Sequence, residues 1–148
     1  MEFSKQSGIY RLHSQHFLPV SLEEAWRFFS SSKNLQKITP KNLDFKITSP
    51  ESGEAYLGQI ITYTISLNKI FKMNWVTEIT HITKGSYFVD EQRFGPYKMW
   101  HHLHKIEEVN GGVLMTDVVH FKLPFSMVAP LAYSLFVKRK LTEIFRFR

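Results

Sequence analysis

The chain has 148 residues, a formal net charge of +6, 43% hydrophobic residues, 15% aromatic residues and no cysteine. This length and composition predict one folded domain over residues 1–148 and argue against a disordered chain. The lack of cysteine excludes a disulfide scaffold, a thiol nucleophile and a cysteine-bound metal, and it fits a cytoplasmic protein. No signal segment and no membrane-spanning run stand out, so we expect a soluble chain.

The N-terminal part predicts a strand followed by two short helices. Residues 9–18 have the composition of a strand. Ser21 and Glu24 then have the spacing of a capping box, in which each side chain bonds the other residue's backbone amide. A short amphipathic helix should follow, because apolar residues recur at helical spacing: Leu22, Ala25, Trp26 and Phe29. A second short helix is predicted over residues 33–38.

The apolar period then changes to two, which favours strands. About six consecutive strands are predicted, over residues 43–47, 60–67, 71–79, 87–93, 97–109 and 113–123. Asn68-Lys69 should form a tight turn. Asn110-Gly111 predicts a hairpin between the last two strands, because both residues accept positive φ.

From about residue 126 to residue 145 the pattern becomes helical again, and its candidate core positions are Leu131, Leu135, Leu141, Ile144 and Phe145. Consecutive strands with short turns predict an antiparallel meander, and one long helix must cover one of its faces. The fold class is therefore α+β, with about seven strands and a long C-terminal helix. A single helix over so long a sheet leaves space for a ligand. The thirteen phenylalanines fit either a lined cavity or a solid core.

Alternation along the predicted strands places several polar residues on the apolar face. Asp117 lies in phase with four apolar residues of the last strand: Met115, Val119, Phe121 and Leu123. The same reasoning collects a polar cluster of Gln92, His102, His104 and Asp117 in an apolar concavity, beside Trp75 and Trp100. A buried carboxylate needs a partner, and the histidines are the natural one. The cluster could be an internal hydrogen-bond network, a ligand contact, or a metal or general acid–base site.

The metal alternative rests on His102 and His104, which share one face of a strand, with Asp117 as a third ligand. We nevertheless expect no metal and no other cofactor. The catalytic serine elbow, the phosphate-binding glycine loop and the dinucleotide fingerprint are all missing from the sequence.

Three stretches of the chain, residues 19–40, 91–104 and 111–125, resemble the SRPBCC superfamily of START, polyketide-cyclase and Bet v 1-like proteins. The most specific part is Gly95-Pro96-Tyr97 followed by His102-x-His104. The closer similarity is to a bacterial ligand-binding branch often described as cell-division-inhibitor-like. The resemblance implies a helix-grip fold, in which a curved sheet wraps around the long helix and encloses a deep cavity.

The same resemblance implies a hydrophobic or amphipathic ligand, such as a lipid, polyketide, isoprenoid or sterol-like molecule. It also implies that the matching residues line or border the cavity: Gln92, Trp100, His102, His104 and Asp117. It implies no particular reaction, because cyclases and hydratases of the superfamily use other polar residues.

Binding or carriage of a small hydrophobic or amphipathic molecule is the function that these patterns favour. The alternative is an enzyme of cyclase, aromatase or hydrolyase type, with His102 or His104 as general acid–base and Asp117 as its orienting group. A transient contact between the basic cluster Lys138, Arg139 and Lys140 and an anionic membrane surface is a third hypothesis. Nucleic-acid binding is not expected, because no basic patch is interleaved with aromatic residues.

Overall fold

Strands dominate the part of the chain that the structure describes. The computed structural model describes residues 1–50, 53–68, 71–124 and 133–148. Within these ranges there are eight strands: β1 (Glu2–Gln6), β2 (Ile9–Leu18), β3 (Lys46–Ile47), β4 (Ile60–Asn68), β5 (Phe71–Thr83), β6 (Tyr87–Phe94), β7 (Met99–Val109) and β8 (Gly112–Lys122). Two α-helices accompany them: α1 (Leu22–Phe29) and α2 (Lys138–Phe147).

All eight of these strands belong to one antiparallel sheet with the order β1-β2-β8-β7-β6-β5-β4-β3. The chain runs as a meander from β3 to β8, and β8 then pairs with β2, so the N-terminal hairpin extends the sheet. The pairing register shifts once between β4 and β5 and twice between β5 and β6. Bulges bend strands and increase their twist, so these shifts curve the sheet.

The hairpin between β7 and β8 confirms the turn prediction. Val109 pairs with Gly112, which leaves Asn110 and Gly111 as the two turn residues. Only Gly111 takes a positive φ, of 82°. The alternation predicted for both strands is also confirmed, because the side chains in phase with Asp117 and His102 are buried. We call this buried side of the sheet its inner face.

The capping box at the start of α1 is present. The Glu24 amide donates to Ser21 Oγ at 3.2 Å, and the Ser21 amide donates to Glu24 Oε2 at 3.0 Å. Ala25 and Trp26 on the following turn are buried. The cap therefore fixes where this helix begins, and its apolar face packs against the core.

The predicted strand count and second helix need correction. β1 was not expected; it pairs with β2 across a turn in which Ser7 and Gly8 both have positive φ. Residues 33–38 form no α-helix, only a 3₁₀ turn over Ser32–Asn34. The Asn34 side chain donates to the Phe28 carbonyl, and such local bonds compete with helical ones.

The strand predicted over residues 43–47 is shorter than expected. A 3₁₀ turn occupies Lys41–Leu43, and Asp44 takes a left-handed conformation, so pairing starts only at Lys46. The apolar residues of this segment still face the core, because Leu43 and Phe45 are both buried. The predicted Asn68-Lys69 turn lies partly outside the described residues.

The C-terminal helix is described from Tyr133 onward. A π-helical turn over Tyr133–Val137 leads directly into α2. Leu141 and Phe145 are buried and Ile144 is partly buried, as predicted. The predicted start near residue 126, Leu131 and the Leu135 side chain lie outside the part that the structure describes. None of the described helices has the length and apolar character needed to cross a membrane.

Candidate functional site

A cavity of about 380 Å³ lies between the inner face of the sheet and α2. Most of its lining is apolar and comes from β4, β5, α2, the end of α1 and the segment after it, for example Phe29, Leu35, Ile61, Ile65, Ile79, Leu141, Ile144 and Phe145. Four polar side chains line one part of the wall: Asp90, His102, His104 and Arg148. The size and the mainly apolar lining are those of small-molecule sites.

The strand register explains why these polar groups meet. On the inner face His104 stands opposite Asp117 on β8, and His102 stands opposite Asp90 on β6. The hydrogen bonds run diagonally between these rows: His102 Nε2 lies 2.9 Å from Asp117 Oδ1, and His104 Nε2 lies 2.6 Å from Asp90 Oδ2. Diagonal neighbours of a sheet face are close enough for such side-chain contacts.

Arg148, just beyond α2, ties the helix to this cluster. Its Nη1 donates to Asp117 Oδ1 at 2.9 Å, and its Nη2 donates to His104 Nδ1 at 3.1 Å. The Phe29 and Phe145 rings each lie 5.7 Å from its guanidinium carbon. Only 7% of the arginine side chain is exposed. The guanidinium is thus held by two polar partners and two aromatic rings.

The contacts of His104 determine its tautomer. Because Nδ1 accepts a hydrogen bond from the guanidinium, the ring proton is on Nε2, which donates to Asp90. Burial, reinforced by the adjacent His102, lowers the pKa of His104 from 6.5 to about 4. His104 is therefore neutral near pH 7, with both ring nitrogens occupied.

His102 differs from His104 in having one ring nitrogen that forms no hydrogen bond with the described residues. Its Nε2 bonds Asp117, whereas its Nδ1 lies 3.5 Å from Asp90 Oδ2. Its ring lies against that of His104, with 3.6 Å between the centroids. Because His102 lines the cavity, its Nδ1 is the ring nitrogen available to a bound molecule.

Both carboxyl groups of the cluster are ionised near pH 7. Burial alone would raise the pKa of Asp117, but the Arg148 guanidinium and the His102 hydrogen bond lower it well below its ordinary value. Burial likewise opposes ionisation of Asp90, yet the hydrogen bond from His104 lowers its pKa overall. The cluster therefore holds two carboxylates and one guanidinium.

Aromatic rings surround the cavity beside this polar wall. Trp75 contacts Tyr63, Tyr97 and Trp100 at centroid distances of 5.6, 5.4 and 5.1 Å. Burial and the nearby Asp90 charge raise the pKa of the Tyr63 hydroxyl, so this phenol stays neutral. The Trp75 indole nitrogen is buried without a hydrogen-bond partner among the described residues.

The site residues predicted from sequence occupy three kinds of position in the structure. Trp75, Trp100, His102 and His104 line the cavity. Asp117 is completely buried behind the two histidines, so it supports them and does not reach the cavity surface. Gln92 was wrongly grouped with this cluster.

Gln92 instead holds the turn after β6. Its side-chain amide donates to the Tyr97 carbonyl at 2.6 Å, and its carbonyl accepts from the Tyr97 amide at 3.2 Å. The bulged pairing of β5 and β6 and the Gly95-Pro96 turn follow Gln92 closely, and they direct this side chain to the backbone. Gln92 therefore affects the cavity only indirectly, by positioning Tyr97.

Two members of the cluster were missed by the sequence reasoning. Asp90 is in phase with Gln92 and Phe88 on β6, so the same alternation could have found it. Arg148 is seven residues after Leu141 and three after Phe145, which places all three on one face of a helix. The predicted cluster also gave the buried Asp117 carboxylate no arginine or lysine as a partner, and this missing cation was the available signal.

A metal centre would use a different set from the one predicted. Asp90, His102 and His104 have potential ligand atoms within 4.8 Å of one another, whereas the sequence suggested Asp117. The His104 Nε2 proton, however, is engaged with Asp90, and Nδ1 faces a guanidinium. A cation at Nε2 would displace the proton that bonds Asp90, and a cation at Nδ1 would lie beside the positive guanidinium. The geometry therefore favours the hydrogen-bond network.

The basic cluster at the start of α2 lies near one edge of the cavity. Lys138 and Arg139 are exposed, and Lys138 Nζ lies 5.5 Å from the centre of the Phe3 ring. Lys140 lines the cavity and donates to Glu143 at 3.0 Å. The predicted contact of this cluster with an anionic membrane stays a prediction.

Comparison with solved structures adds the fold context. Protein Ms6760 from Mycobacterium smegmatis superposes with a TM-score of 0.68 at 12% identity, covering 99% of this chain and 93% of that one. Ara h 8.0201 gives 0.64 at 17% identity, with 95% of each chain covered. Major latex-like protein 151 from Panax ginseng gives 0.62 at 15%, with 93% and 97% covered. The chain therefore has a Bet v 1-like fold.

The helix-grip architecture predicted from sequence is that of these Bet v 1-like neighbours, with a long antiparallel sheet and a C-terminal helix. Neither a protein-family model nor a curated protein matches the sequence. At these identities the similarity is one of fold alone. What the cavity does must be argued from its own residues.

Proposed function

We propose that this protein binds and carries a small, largely apolar molecule with one polar end, and that the ligand occupies the cavity beneath α2. The observation that supports this is the asymmetry of the lining. In a mainly apolar cavity of about 380 Å³, four lining residues form one hydrogen-bonded polar cluster with Asp117: Asp90, His102, His104 and Arg148. Lys140, the other charged residue of the described lining, is paired with Glu143. A molecule buried there would lose its apolar surface from water and orient its polar end toward Asp90 and His102.

The sequence motif supports placing this chain in the bacterial ligand-binding branch of the superfamily. Gly95-Pro96-Tyr97 brings an aromatic residue onto the cavity wall, and His102-x-His104 puts two imidazoles there. We include this placement in the proposal because the quoted run combines a turn, an aromatic residue and two inward histidines in one short segment.

Native mass spectrometry is the first test of carriage. The purified protein should show an additional mass of a few hundred daltons that disappears under denaturing conditions. Fragmentation of the released molecule would then identify its chemical class. A bare chain that also fails to bind any apolar dye would contradict the proposal.

A dye titration locates the binding. N-phenyl-1-naphthylamine is neutral and fluoresces in apolar surroundings, so its emission should rise on binding to one saturable site. Ile144 lines the cavity, whereas Ile60 points away from it and is 48% exposed. Ile144→Trp should fill part of the cavity and weaken dye binding at least about tenfold. The matched variant Ile60→Trp should bind like the wild type, and equal behaviour of the two would place the dye elsewhere.

A second candidate function is general acid–base catalysis in the same cavity, of the cyclase, aromatase or hydrolyase type. It is favoured by His102, whose Nε2 is bonded to a buried aspartate while its Nδ1 faces the cavity. An imidazole oriented by a carboxylate in this way can take up or release a proton at its other nitrogen. His104 is unsuited to this role, because both of its nitrogens are already bonded.

Catalysis can be separated from carriage with one substitution. The wild type would be incubated with a linear poly-β-ketone analogue, and products that have lost one water would be measured by mass spectrometry. His102→Gln should abolish turnover while dye binding stays within about threefold of wild type. Turnover that is unchanged in this variant would reject His102 as the proton-transfer group.

A further inference from the structure

We propose that the cavity selects ligands whose polar end is a protonated amine over ligands that end in a carboxylate, and that Asp90 receives the ammonium group. This inference rests on the proposed binding function and adds the charge class of the ligand. The presence of an arginine in an apolar cavity would suggest the opposite, a site for fatty acids. The contacts of the polar wall argue against a fatty-acid site.

The polar wall holds more carboxylates than guanidinium groups. Of the described residues that line the cavity, three carry a full charge: Asp90, Lys140 and Arg148. Asp117 lies directly behind them and is ionised. The Lys140 ammonium is offset by Glu143, to which it donates a hydrogen bond. Two carboxylates therefore face one guanidinium, and Asp90 is the carboxylate to which the guanidinium does not donate a hydrogen bond.

The guanidinium is not available to an anionic ligand. Its two terminal nitrogens are bonded to Asp117 and His104, and the side chain is enclosed between Phe29 and Phe145. The Nε atom of Arg148 has no hydrogen-bond partner among the described residues, but it is buried. A carboxylate ligand would compete with Asp117, which is fully buried and already bonded to this cation. The guanidinium is therefore bonded within the protein, and the Asp90 carboxylate would repel the carboxylate of a ligand.

Asp90, by contrast, is open to the cavity. Its Oδ2 accepts the bond from His104, and no hydrogen bond within the described part of the chain reaches its Oδ1. About 16% of its side chain is exposed, and the residue belongs to the cavity lining. An ammonium group can donate to this free oxygen. It can also donate to the adjacent His102 Nδ1 when His102 Nε2 carries the proton that bonds Asp117.

The aromatic walls favour the same charge. Tyr63, Trp75, Tyr97 and Trp100 line the cavity around this carboxylate, and the Tyr63 hydroxyl is close enough to Asp90 to feel its charge. The faces of such rings carry partial negative charge and attract cations. Carboxylate and ring faces together therefore form surroundings suited to a cation with an apolar tail.

The test compares three ligands that share one tail: decylamine, decanol and decanoate. Each would displace N-phenyl-1-naphthylamine from the wild-type protein near neutral pH, below its micellar concentration. Decylammonium should displace the dye at a concentration at least about tenfold lower than decanoate, with decanol between them. A control at high salt should leave this order unchanged, because screening is weak for buried charges.

Two variants assign the preference to Asp90. Asp90→Asn keeps the size of the side chain and the bond from His104 but removes the charge, so the ratio between decylamine and decanoate should fall to about threefold or less. Glu107→Gln removes one negative charge from an exposed part of β7 that does not line the cavity. Its ratio should equal that of the wild type, which separates a local effect from one of overall charge.

The outcomes distinguish this inference from the function on which it rests. Displacement by decanoate as strong as by decylamine would overturn the charge selectivity and leave carriage of apolar ligands intact. Failure of all three ligands and the dye to bind would reject the proposed function itself, and this inference with it. The wild-type ranking decides the question even if Asp90→Asn proves unstable.

Discussion

The Nη2 atom of Arg148 lies 3.1 Å from Nδ1 of His104, and this contact connects the end of α2 to the middle of β7. It requires an unprotonated Nδ1, so it also directs the Nε2 proton of His104 toward Asp90. The position of the helix and the protonation state of the polar wall are thus coupled through one hydrogen bond. Any change that displaces α2 will alter the polar end of the cavity.

Replacing Arg148 by methionine should be strongly destabilising. The change would leave the Asp117 carboxylate fully buried and without the guanidinium that donates to it. Loss of one partner of a buried ion pair typically costs about 3–5 kcal/mol. Urea unfolding followed by tryptophan fluorescence would measure the free energy of unfolding. Arg146→Met is the matched control at an exposed position, and an equal loss in both variants would refute the buried pairing.

A second substitution in the same background should recover part of that loss. Asp117→Asn combined with Arg148→Met removes the uncompensated charge while keeping the side-chain volume. We expect the double variant to be more stable than Arg148→Met alone by about 1–2 kcal/mol, because a neutral amide is less costly to bury than a carboxylate. A strictly additive loss in the double variant would show that the two residues act independently.

The inner face of the sheet could be predicted from the sequence because period-two alternation is a purely local signal. Phase alone placed His102, His104 and Asp117 on one side of two neighbouring strands, and the Asn110-Gly111 hairpin set their register. Alternation along a strand cannot predict which neighbouring side chain each residue bonds. The bond from His104 to Asp90 depends on a pairing across β6 and β7 that no single strand encodes.

The errors have equally specific causes. β1 contains only one apolar residue on its inner side, Phe3, so an edge strand of this length gives little periodic signal. The Ser7-Gly8 turn, in which both residues have positive φ, was not recognised. Gln92 was misassigned because the pairing of β6 with β5 shifts register near this residue. Alternation along β6 no longer indicates there which face of the sheet a side chain occupies. Arg148 was overlooked, although it lies on the same helix face as Leu141 and Phe145.

The capping box of α1 should contribute measurably to stability. Ser21→Ala removes the hydroxyl that accepts from the Glu24 amide, and loss of such a cap costs about 1 kcal/mol. The free energy of unfolding in urea would measure this loss. Ser31→Ala is the control, because Ser31 precedes a 3₁₀ turn without forming a side-chain cap. A loss of the same size at both positions would argue against the capping role of Ser21.

Gly112 should tolerate no side chain. A Cβ atom at this position would overlap the Leu18 carbonyl oxygen and lie 3.0 Å from Pro19 Cα, and these backbone atoms cannot move aside without disturbing the pairing of β2 with β8. Gly112→Ala should therefore lower the free energy of unfolding by about 1–3 kcal/mol. Gly53→Ala is the control, since a Cβ there would meet nothing within 4 Å. Equal stability of both variants would show that the strand ends are less rigid than the structure implies.

The stability of the protein should fall as the pH is lowered from about 6.5 to about 4, the window between the pKa of a histidine in an unfolded chain and that of His104 in the fold. In this window the unfolded chain binds a proton that the folded chain does not, so acid favours unfolding, whereas above it the contribution of His104 is fully present. The expected loss from His104 is about 3 kcal/mol across the window. Urea unfolding at several pH values would measure it.

Two variants attribute this pH dependence to one side chain. His104→Gln cannot take up the proton, so its stability should change much less over the same window, and the residual slope should come from groups such as His120, whose pKa is also lowered by burial. His81→Gln removes an exposed histidine and should leave the wild-type slope unchanged. Asp90 and Asp117 have lowered pKa values as well, so their contribution is lost only at more acidic pH, below about 4. A slope in His104→Gln as steep as in the wild type would mean that the pKa of His104 is not lowered in the folded protein. The ring would then be protonated below about pH 6.5, and its Nδ1 could not accept the hydrogen bond from Arg148 there.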